Sequence, residues 1–473
     1  MGAPILMIKS FKHQAEIFER FKDKDHFALF LEAGTGKTRI TIQLLEHAYN
    51  EKRITAALIL VPKTMISTWA QIELPKHSAE PFKAYAWDGK TNTKTAVLFD
   101  EMLKFNGLSY LIANHDAITG ARFQDLLNKF WQARKKVAFI IDESTAIKIP
   151  SSARTKVALK MANVAAMKGI LTGTPLPNGP LDVYTQCEFL DPKKGILGHA
   201  SFYSFKTRYA VLKRQTFGFR SFDTVVGYRD LDDLRRKLDK FAAFVKLEEC
   251  IDMPPQVFST IAVELTPEQA SAYKELKEKA VAYIQSHEIV AINALSLLSR
   301  LHQILVGQIK VGADKYLALP SNRLEIVKSI MEERDHKILI WCPYVEAAKQ
   351  LHDGLGLNAI RLTSDMNTVE RHDTIENWRH MPIQGLILNA ASAGHGLTLT
   401  EAKTAIFYGN TYNLEHRLQA LRRNYRIGQD QKTEVIDIIA LDTVEEKIMK
   451  ALTDKQNIAE LVTNKEALLE LIS

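Results

Sequence analysis

The chain has 473 residues, too many for one compact domain, so we expect two or three domains. Hydrophobic residues make up 46% and charged residues 25%, the ordinary globular range, so the chain can bury a real core. The formal net charge of +7 favours a polyanionic partner without identifying one, and the absence of a long apolar run argues against a membrane-spanning protein.

The cysteines indicate the cellular setting. Cys187, Cys250 and Cys342 lie far apart in the sequence, which argues against a disulfide framework or a zinc site. A reducing, intracellular environment fits this usage. Because the first residues also lack the pattern of a secretory signal, we expect a cytoplasmic protein with no membrane partner.

Five short apolar runs before residue 176 each end in polar, glycine or proline residues. This pattern is typical of parallel strands that are buried on both faces of a sheet. The runs are HFALFLEAG from His26, AALILVP from Ala56, SYLIANH from Ser109, VAFIIDE from Val137 and GILTGTP from Gly169.

The first run leads into FLEAGTGKTRITI, which joins a strand to a helix. Gly34 and Gly36 would let backbone N–H groups converge on phosphate oxygens. Lys37 would reach the β- and γ-phosphates, and the Thr38 hydroxyl would ligate Mg²⁺. Leu31 stands where the G-x-x-x-x-G-K-[ST] pattern has its first glycine, yet the strand–loop–helix context favours a phosphate loop over an ordinary glycine-rich turn.

Two carboxylates, Asp142 and Glu143, stand side by side at the end of the fourth run. Adjacent like charges cost free energy unless a cation or a substrate uses them. With a phosphate loop upstream, Asp142 would hold Mg²⁺ through its water shell, and Glu143 would polarise the water that attacks a γ-phosphate. Two solvated acids at a strand end would be the commoner interpretation if the phosphate loop were absent.

The middle of the chain has a different composition. Residues 192–250 carry no strong strand series, and residues 203–240 hold ten Lys or Arg against five Asp, interleaved with aromatic residues. We predict a mostly helical, basic insertion at about 192–245. Pro254 and Pro255 mark a linker, because two prolines stop both helix formation and sheet pairing.

A helical pattern over about 267–310 precedes a second series of five apolar runs. These are HKILIWCP from His336, AIRLTS from Ala359, QGLILNAA from Gln384, TAIFYGN from Thr404 and EVIDIIA from Glu434. Helical segments lie between them, and C-terminal helices are expected over 443–473. The two series together predict an α/β fold with two doubly wound parallel-sheet domains, 1–250 and 251–473.

The sequence EHRLQALRRNYRIGQ predicts a helix in the second domain. Gln419, Arg423 and Arg426 stand at i, i+4 and i+7, so they would share one face. Two guanidinium groups on one face suit a γ-phosphate that gains negative charge, provided that the cleft between the domains closes. A solvated basic helix is the alternative, and it is what an isolated RRxxR pattern usually indicates.

In order along nearly the whole chain, these motifs resemble those of helicase superfamily two and, within it, the Swi/Snf-type DNA translocases. FKHQ resembles the glutamine motif, EAGTGKT motif I, ALILVPKTMISTWAQI motif Ia, IIDESTAIK the Asp-Glu box, LTGTPLPN motif III, KILIWCPY motif IV, LNAASAGHGLTLTEA motif V and QALRRNYRIGQ motif VI. The resemblance implies two tandem RecA-like domains and a DNA-dependent ATPase of the helicase or translocase type, with ATP and Mg²⁺ as cofactors.

The residue patterns and the resemblance together assign expected roles. ATP binding is assigned to Gln14, Gly34, Thr35, Gly36, Lys37, Thr38 and Gly396. Catalysis is assigned to Lys37, Glu143, Gln419, Arg423 and Arg426, and the metal to Thr38 and Asp142. Nucleic-acid contact is implied for Lys63, Thr64, Thr174 and Ser392.

Three motifs depart from the family pattern. Motif VI has Arg422 where Asp is more frequent and Tyr425 where His is. Motif V usually has Gly-Gly and a later Asn, and Ala393 and Thr398 stand at those positions here. Motif III has Pro177 in place of Gln. The chain looks like a minimal translocase of the kind that bacteria or their viruses encode. That resemblance implies remodelling of DNA junctions by a monomer, in a bacterial or infected-host cytoplasm.

Three functions stay open on the sequence alone. The first is an ATP-driven translocase on double-stranded DNA that migrates branches or remodels forks, and the motif order and RIGQ favour it. The second is a strand-separating helicase on DNA or RNA. The third is an ATP-responsive clamp without productive hydrolysis, against which Glu143 and Arg423 speak. The basic insertion would contact duplex or enter a fork, or it would be a solvated helical pair around a small aromatic core.

Overall fold

Two compact units divide the chain, Met1–Asp252 and Met253–Ser473. The division falls within the sequence DMPPQ, and Pro254 and Pro255 come directly before the first strand of the second unit. The computed structural model describes residues 11–89, 92–177, 179–192, 195–217, 220–250, 254–286, 291–311, 315–389, 397–410, 413–426 and 429–453.

A seven-stranded sheet forms the centre of the first unit. The strands of this unit are β1 (His26–Leu31), β2 (Ala56–Val61), β3 (Phe82–Ala86), β4 (Leu108–Asn114), β5 (Val137–Asp142), β6 (Met167–Leu171), β7 (Ala210–Phe217), β8 (Arg220–Tyr228) and β9 (Ala242–Val245). The order across the sheet is β3-β4-β2-β5-β6-β1-β9, and every neighbouring pair is parallel. Strands β7 and β8 form a separate antiparallel hairpin.

Helices cover both faces of this sheet. They are α1 (Lys12–Phe21), α2 (Lys37–Asn50), α3 (Ile66–Thr68), α4 (Leu74–His77), α5 (Thr93–Lys104), α6 (Ala121–Ala133), α7 (Ala153–Ala162), α8 (Val183–Leu190), α9 (Phe202–Tyr209) and α10 (Leu231–Leu238). Alternate residues of β1 enter different cores: Phe27 and Leu29 pack in one, and Ala28 and Phe30 in the other. The two cores therefore lie on opposite faces of the sheet.

The second unit repeats this architecture with six parallel strands. Its strands are β10 (Gln256–Ala262), β11 (Gln308–Lys310), β12 (Tyr316–Ala318), β13 (Lys337–Cys342), β14 (Ala359–Leu362), β15 (Gly385–Asn389), β16 (Ala402–Phe407) and β17 (Thr433–Ile439). The sheet order is β10-β17-β16-β13-β15-β14. Strands β11 and β12 form a short antiparallel pair.

The helices of the second unit also pack against its sheet and enclose two hydrophobic cores. They are α11 (Pro267–Ser286), α12 (Ala291–Leu305), α13 (Arg323–Glu332), α14 (Val345–Leu355), α15 (Thr368–His380), α16 (Leu414–Leu421) and α17 (Val444–Thr453). Along β13, Ile338 and Ile340 enter one core and Leu339 and Trp341 the other. The predicted fold class, two tandem doubly wound parallel-sheet domains, is confirmed.

Every apolar run from which a strand was predicted contains one, but three strands of the two main sheets were not anticipated. These strands, β3, β9 and β10, each lie at the edge of a sheet. The side chains of β10 are largely exposed and β9 has only four residues. A strand that is exposed on its outer side does not need the continuous apolar run by which central strands are recognised.

The prediction of a mostly helical insertion is wrong for its centre. The segment contains helices α9 and α10, but β7 and β8 pair between them and β9 then joins the main sheet. Thr224, Val225 and Val226 stand in succession in β8, and such β-branched residues favour strands. The many charged residues around these three made the strand pattern hard to recognise in the sequence.

The end of the chain is described in part. Helix α17 occupies the start of the segment 443–473, in which helices are predicted, and residues 454–473 lie outside the described ranges. Across the described residues, no helix combines the length and the apolar character that a membrane crossing requires.

Candidate nucleotide site

The loop between β1 and α2 has the backbone geometry of the predicted phosphate loop. Gly34 and Gly36 have φ angles of 89° and 93°, in the left-handed region that favours glycine. Gly36 also precedes the first turn of α2, and a Cβ atom there would lie 2.2 Å from Nε2 of Gln14. A side chain at position 36 would therefore be strained and would collide with its neighbour.

Gln14 is buried against this loop. Its Nε2 donates a hydrogen bond to the carbonyl oxygen of Thr35 at 3.1 Å, and its Oε1 accepts one from the backbone N–H of Phe11 at 3.3 Å. His13 Nε2 donates to the same Thr35 carbonyl at 2.8 Å. Helix α1 is thus attached to the loop by two side chains.

Lys37 begins helix α2 and turns back over the loop. Its Nζ donates to the carbonyl oxygens of Leu31 at 2.8 Å and Glu32 at 3.2 Å. Thr38, the next residue, is half-buried in the first helical turn. The Lys37 ammonium is also close enough to Asp142 to lower the pKa of that carboxyl.

Asp142, the last residue of β5, is a buried carboxylate with two hydrogen-bond donors. Trp69 Nε1 donates to Oδ2 at 2.9 Å, and the Glu143 backbone N–H donates to Oδ1 at 3.0 Å. His115 Nε2 donates to the Asp142 carbonyl oxygen at 2.7 Å. Burial and, to a lesser degree, the charge of Glu143 raise the pKa of Asp142 to about 6, against the opposing effects of Trp69 and Lys37.

Glu143 connects the end of β5 with the end of β6. It has a φ angle of 50°, an uncommon left-handed conformation for a residue with a side chain. Its Oε2 accepts a hydrogen bond from the Thr172 hydroxyl at 3.1 Å, and this hydroxyl oxygen accepts one from the Thr174 N–H at 3.1 Å. The carboxylate is therefore bonded directly to the predicted motif III.

Gln186 in helix α8 is a supporting residue that the sequence analysis missed. Its Oε1 accepts from the Ser144 hydroxyl at 2.7 Å, and its Nε2 donates to the Pro175 carbonyl at 2.8 Å. The side chain thus bridges the residue after Glu143 and the motif III segment. Its sequence signal was an amide among the apolar residues of DVYTQCEFL, a pattern that indicates a buried hydrogen-bonding role.

The predicted nucleic-acid residues of the first unit lie at the same edge of the sheet as the nucleotide residues. Lys63 and Thr64 follow β2 and are exposed, and Thr174 follows β6 and is half-buried. The carboxyl ends of parallel strands share one edge, where α/β proteins bind ligands. Ser392 and Gly396, also predicted as site residues, lie outside the described residues.

The arginine motif of the second unit departs from the prediction of one continuous helix. Helix α16 ends at Leu421, so Gln419 is helical and Arg423 and Arg426 are not. The Arg423 carbonyl accepts a hydrogen bond from the Leu399 N–H at 2.9 Å, which draws the backbone away from a helical path. The expectation of a single shared helical face is therefore wrong.

The two arginines nevertheless lie together against Leu397 and Thr398, in the second half of motif V. Nη1 of Arg423 donates to the Leu397 carbonyl at 3.2 Å. Nη1 of Arg426 donates to the Thr398 hydroxyl at 2.9 Å. Arg423 is 5% exposed, whereas Arg426 is half-buried. Of the two guanidinium groups, that of Arg426 is therefore the more accessible.

A buried ion pair positions helix α16, which leads into this motif. Nη1 and Nη2 of Arg417 donate to the two carboxylate oxygens of Asp437 at 2.6 and 2.7 Å. The side chain of Asn410 bonds both partners of the pair. A bidentate pair with fixed geometry holds the helix on β17, and Arg423 lies two residues after the last residue of that helix, Leu421.

Two family models match the chain. A SNF2-related domain matches residues 22–309, and a helicase conserved C-terminal domain matches residues 322–428. The chain belongs to the SNF2-related family. These matches confirm the predicted Swi/Snf-type class within helicase superfamily two, and with it the predicted enzyme class, an ATPase.

Individual relatives are distant and longer. The chain is 22% identical to a mouse chromodomain-helicase-DNA-binding protein 1-like over 91% of its length and 47% of the relative's. It is 24% identical to an uncharacterized ATP-dependent helicase of Mycoplasma pneumoniae, in an alignment that covers 98% of this chain and 44% of the relative. It is 27% identical to the Bos taurus DNA annealing helicase and endonuclease ZRANB3, in an alignment that covers 90% of this chain and 38% of the relative. The chain spans about half the length, or less, of these curated relatives.

A solved structure also resembles the chain. The Sulfolobus solfataricus SWI2/SNF2 ATPase core in complex with double-stranded DNA aligns with 100% of this chain and 98% of its own, at 22% identity and a TM-score of 0.42. The free form of that ATPase core aligns at 22% identity with a TM-score of 0.40.

Proposed function

We propose that the chain couples ATP hydrolysis to translocation on double-stranded DNA and thereby remodels branched DNA. The observation that carries the proposal is the hydrogen bond from Thr172 to Glu143, 3.1 Å long. Glu143, the acid that would activate water, is hydrogen-bonded to motif III. Motif III would in turn contact DNA through Thr174. A change in that segment on DNA binding would alter the position of the acid.

The first unit offers groups that would bind the nucleotide and activate the attacking water. The loop N–H groups and Lys37 bind the β- and γ-phosphates. Glu143 orients the attacking water and accepts its proton. Gln14, which is buried beside Thr35, contributes to the adenine side of the site, as the family resemblance implies. Gly396 is assigned to the nucleotide on the same ground.

A magnesium ion fits the donors at this site. Hydroxyl and carboxylate oxygens are the ligands that Mg²⁺ takes in phosphate sites, and Thr38 and Asp142 supply one each. The raised pKa of the buried Asp142 indicates a carboxylate whose charge lacks full compensation, which a divalent cation would supply. When bound, Mg²⁺ would neutralise charge on the β- and γ-phosphates.

DNA would be held through its phosphates. Lys63, Thr64, Thr174 and Ser392 offer an ammonium group and hydroxyls, which bind a backbone without reading its sequence. Such contacts let a motor move along duplex. The relative named as a DNA annealing helicase and endonuclease supports DNA as the substrate.

The second unit would complete the reaction. Gln419, Arg423 and Arg426 belong to its motif VI, and guanidinium groups stabilise the charge that builds up on a transferring phosphoryl group. We propose that they act when the two units close on ATP. Hydrolysis would then reopen the units, and alternation between the two states would move a monomer along DNA.

The decisive experiment is steady-state ATP hydrolysis with no nucleic acid, single-stranded DNA, duplex DNA, a four-way junction and duplex RNA. We expect strong stimulation by duplex or junction DNA, which would justify a branch-migration assay. Stimulation by single strands or RNA alone would identify a strand-separating helicase instead. No stimulation by any of them would leave an ATP-responsive clamp.

A further inference from the structure

The hairpin of β7 and β8 is an arm separate from the main sheet of the first unit. Its strands pair from Ala210 with Tyr228 to Phe217 with Arg220, so the arm is eight residues long on the β7 side. Lys213 and Arg214 are neighbours in β7, and both are exposed. Because successive side chains of a strand point to opposite faces, the arm presents one cation on each face.

The base of the arm is fixed to the core. The Tyr209 ring is fully buried, and its hydroxyl donates to Asp233 Oδ2 at 2.7 Å and accepts from Lys237 Nζ at 2.9 Å. Arg229, directly after β8, donates from Nη2 to the Thr207 carbonyl at 2.6 Å. The residue before β7 and the residue after β8 are thus both held by hydrogen bonds, and these bonds set the direction of the arm.

The arm also touches Gly179, the residue that directly follows motif III. Gly179 has a φ angle of 134°, and a Cβ atom there would lie 2.4 Å from the hydroxyl oxygen of Tyr228, the last residue of β8. Gly179 follows the segment that is bonded to Glu143 through Thr172. The base of the arm therefore packs on the part of the unit that would link hydrolysis to DNA.

The charge of the arm favours a polyanionic partner. Residues 206–229 hold six basic side chains and one acidic side chain. In the following helix α10, by contrast, the basic side chains are paired: Arg235 with Asp239 at 2.9 Å and Lys237 with Asp233 at 3.4 Å. Among the described residues, Lys213 and Arg214 form no ion pair with a carboxylate, although Asp223, the one acidic residue of the arm, stands opposite Arg214 in the strand register.

We propose that the β7–β8 arm binds duplex DNA through the phosphates, with Lys213 and Arg214 as its contacts. A two-stranded ribbon fits the major groove of B-DNA, where phosphates lie on both sides. Cations on both faces of the ribbon match that arrangement. This inference rests on the proposed DNA translocase function and adds a contact outside the helicase motifs.

The test is the double variant Lys213→Ala/Arg214→Ala in the full chain, with Lys94→Ala/Lys104→Ala as the control. Lys94 and Lys104 are exposed on α5, which packs on the edge strand β3, so the control loses the same charge elsewhere. The affinity for a duplex oligonucleotide is measured by fluorescence anisotropy at several salt concentrations, together with ATP turnover.

The arm variant should bind duplex several-fold more weakly, and its slope of log affinity against log salt should be less steep by about 2, one unit for each lost phosphate contact. Turnover without DNA, and turnover at saturating DNA, should equal those of the parent. The control should keep the parent's salt slope.

Two other outcomes would overturn the proposal and can be told apart. If the parent binds duplex and the arm variant keeps the parent's salt slope, the arm is not a DNA contact and the translocase proposal stands. If the parent itself binds no duplex, both proposals fail.

Discussion

The indole nitrogen of Trp69 donates a hydrogen bond to Oδ2 of Asp142 across 2.9 Å, and both side chains are buried. Asp142 is the one carboxylate of the site that is held away from water, and burial is the main cause of its raised pKa. The indole bond opposes that effect because it stabilises the charged form. Trp69 therefore helps to keep ionised the group that would hold the metal.

Replacing Trp69 with Phe should shift the pH dependence of turnover. Trp69→Phe keeps a ring in the core but removes the donor, so the pKa of Asp142 should rise further and the acid limb of the kcat profile should move to higher pH. The loss should be larger at about pH 6 than at about pH 8. Trp87→Phe, also a buried tryptophan, is the control and should leave the limb in place. An equal loss at all pH values would contradict the role of the bond.

Asp142→Asn should remove a pH-dependent loss of stability in the absence of nucleotide and metal. The native pKa of about 6 lies above the ordinary value of 3.8, so the native state binds the proton more tightly and stability falls as pH rises between these values. Relative to the parent, the Asn variant should gain about 3 kcal/mol between about pH 4 and pH values above about 6, because each pKa unit of the shift corresponds to about 1.4 kcal/mol. Denaturant titrations at both pH extremes measure it. A gain of the same size at both would show that charge burial is not its source.

Glu143→Gln should separate nucleotide binding from turnover. The amide has the same size and can still accept from Thr172, but it cannot take a proton from water. Turnover should fall by about 100-fold or more, with ATP affinity close to the parent's. Lys37→Ala is the complementary control and should weaken nucleotide binding itself. Parent-like turnover in the Gln variant would remove Glu143 from the role of base.

The positions of the first-unit site residues could be predicted because they are tied to strand ends. Lys37 and Asp142 follow or close continuous apolar strands, and parallel strands bring their carboxyl ends to one edge. The network behind them could not be predicted. Gln186 reaches the site from α8, and the sequence gives no distance between that helix and Ser144.

The second unit shows a different limit. The i, i+4, i+7 spacing of Gln419, Arg423 and Arg426 predicted one helical face, but the spacing carries no information on where the helix ends. The end of helix α16 is set by tertiary contacts. The Leu399 N–H donates a hydrogen bond to the Arg423 carbonyl, and Nδ2 of Asn424 donates one to the Ala402 carbonyl at 3.4 Å. Such contacts override local helix propensity.

The two motif VI arginines should respond differently to removal. Arg426→Ala should lower kcat by about 100-fold or more with little change in ATP affinity or Tm, because an arginine of this kind acts mainly in the transition state. Arg423→Ala should also lower Tm, since its buried guanidinium holds the Leu397 carbonyl. Arg426→Lys, which keeps the charge but loses the planar fork, should recover part of kcat. Parent-like turnover of Arg426→Ala would exclude it from catalysis.

Gly179→Ala tests the contact between the arm and the motif III segment. The φ angle of 134° and the Tyr228 hydroxyl 2.4 Å from the new Cβ atom both oppose a side chain there. Gly198→Ala is the matched control, because Gly198 has a φ angle of 75° but open space around its Cβ position. Thermal unfolding should show a larger loss of Tm for Gly179→Ala than for Gly198→Ala.

The extra loss of Tm caused by Gly179→Ala should be smaller when it is made in a Tyr228→Ala background. The collision with the Tyr228 ring is then removed, and only the backbone strain at position 179 remains. Comparison with Tyr228→Ala alone completes the double-mutant cycle. If the excess is unchanged without the ring, strain at position 179 is the whole effect, and the arm is not held on the motif III segment by this contact. If it disappears, the Tyr228 ring and Gly179 form the joint through which the arm and the hydrolytic acid of the same unit are connected.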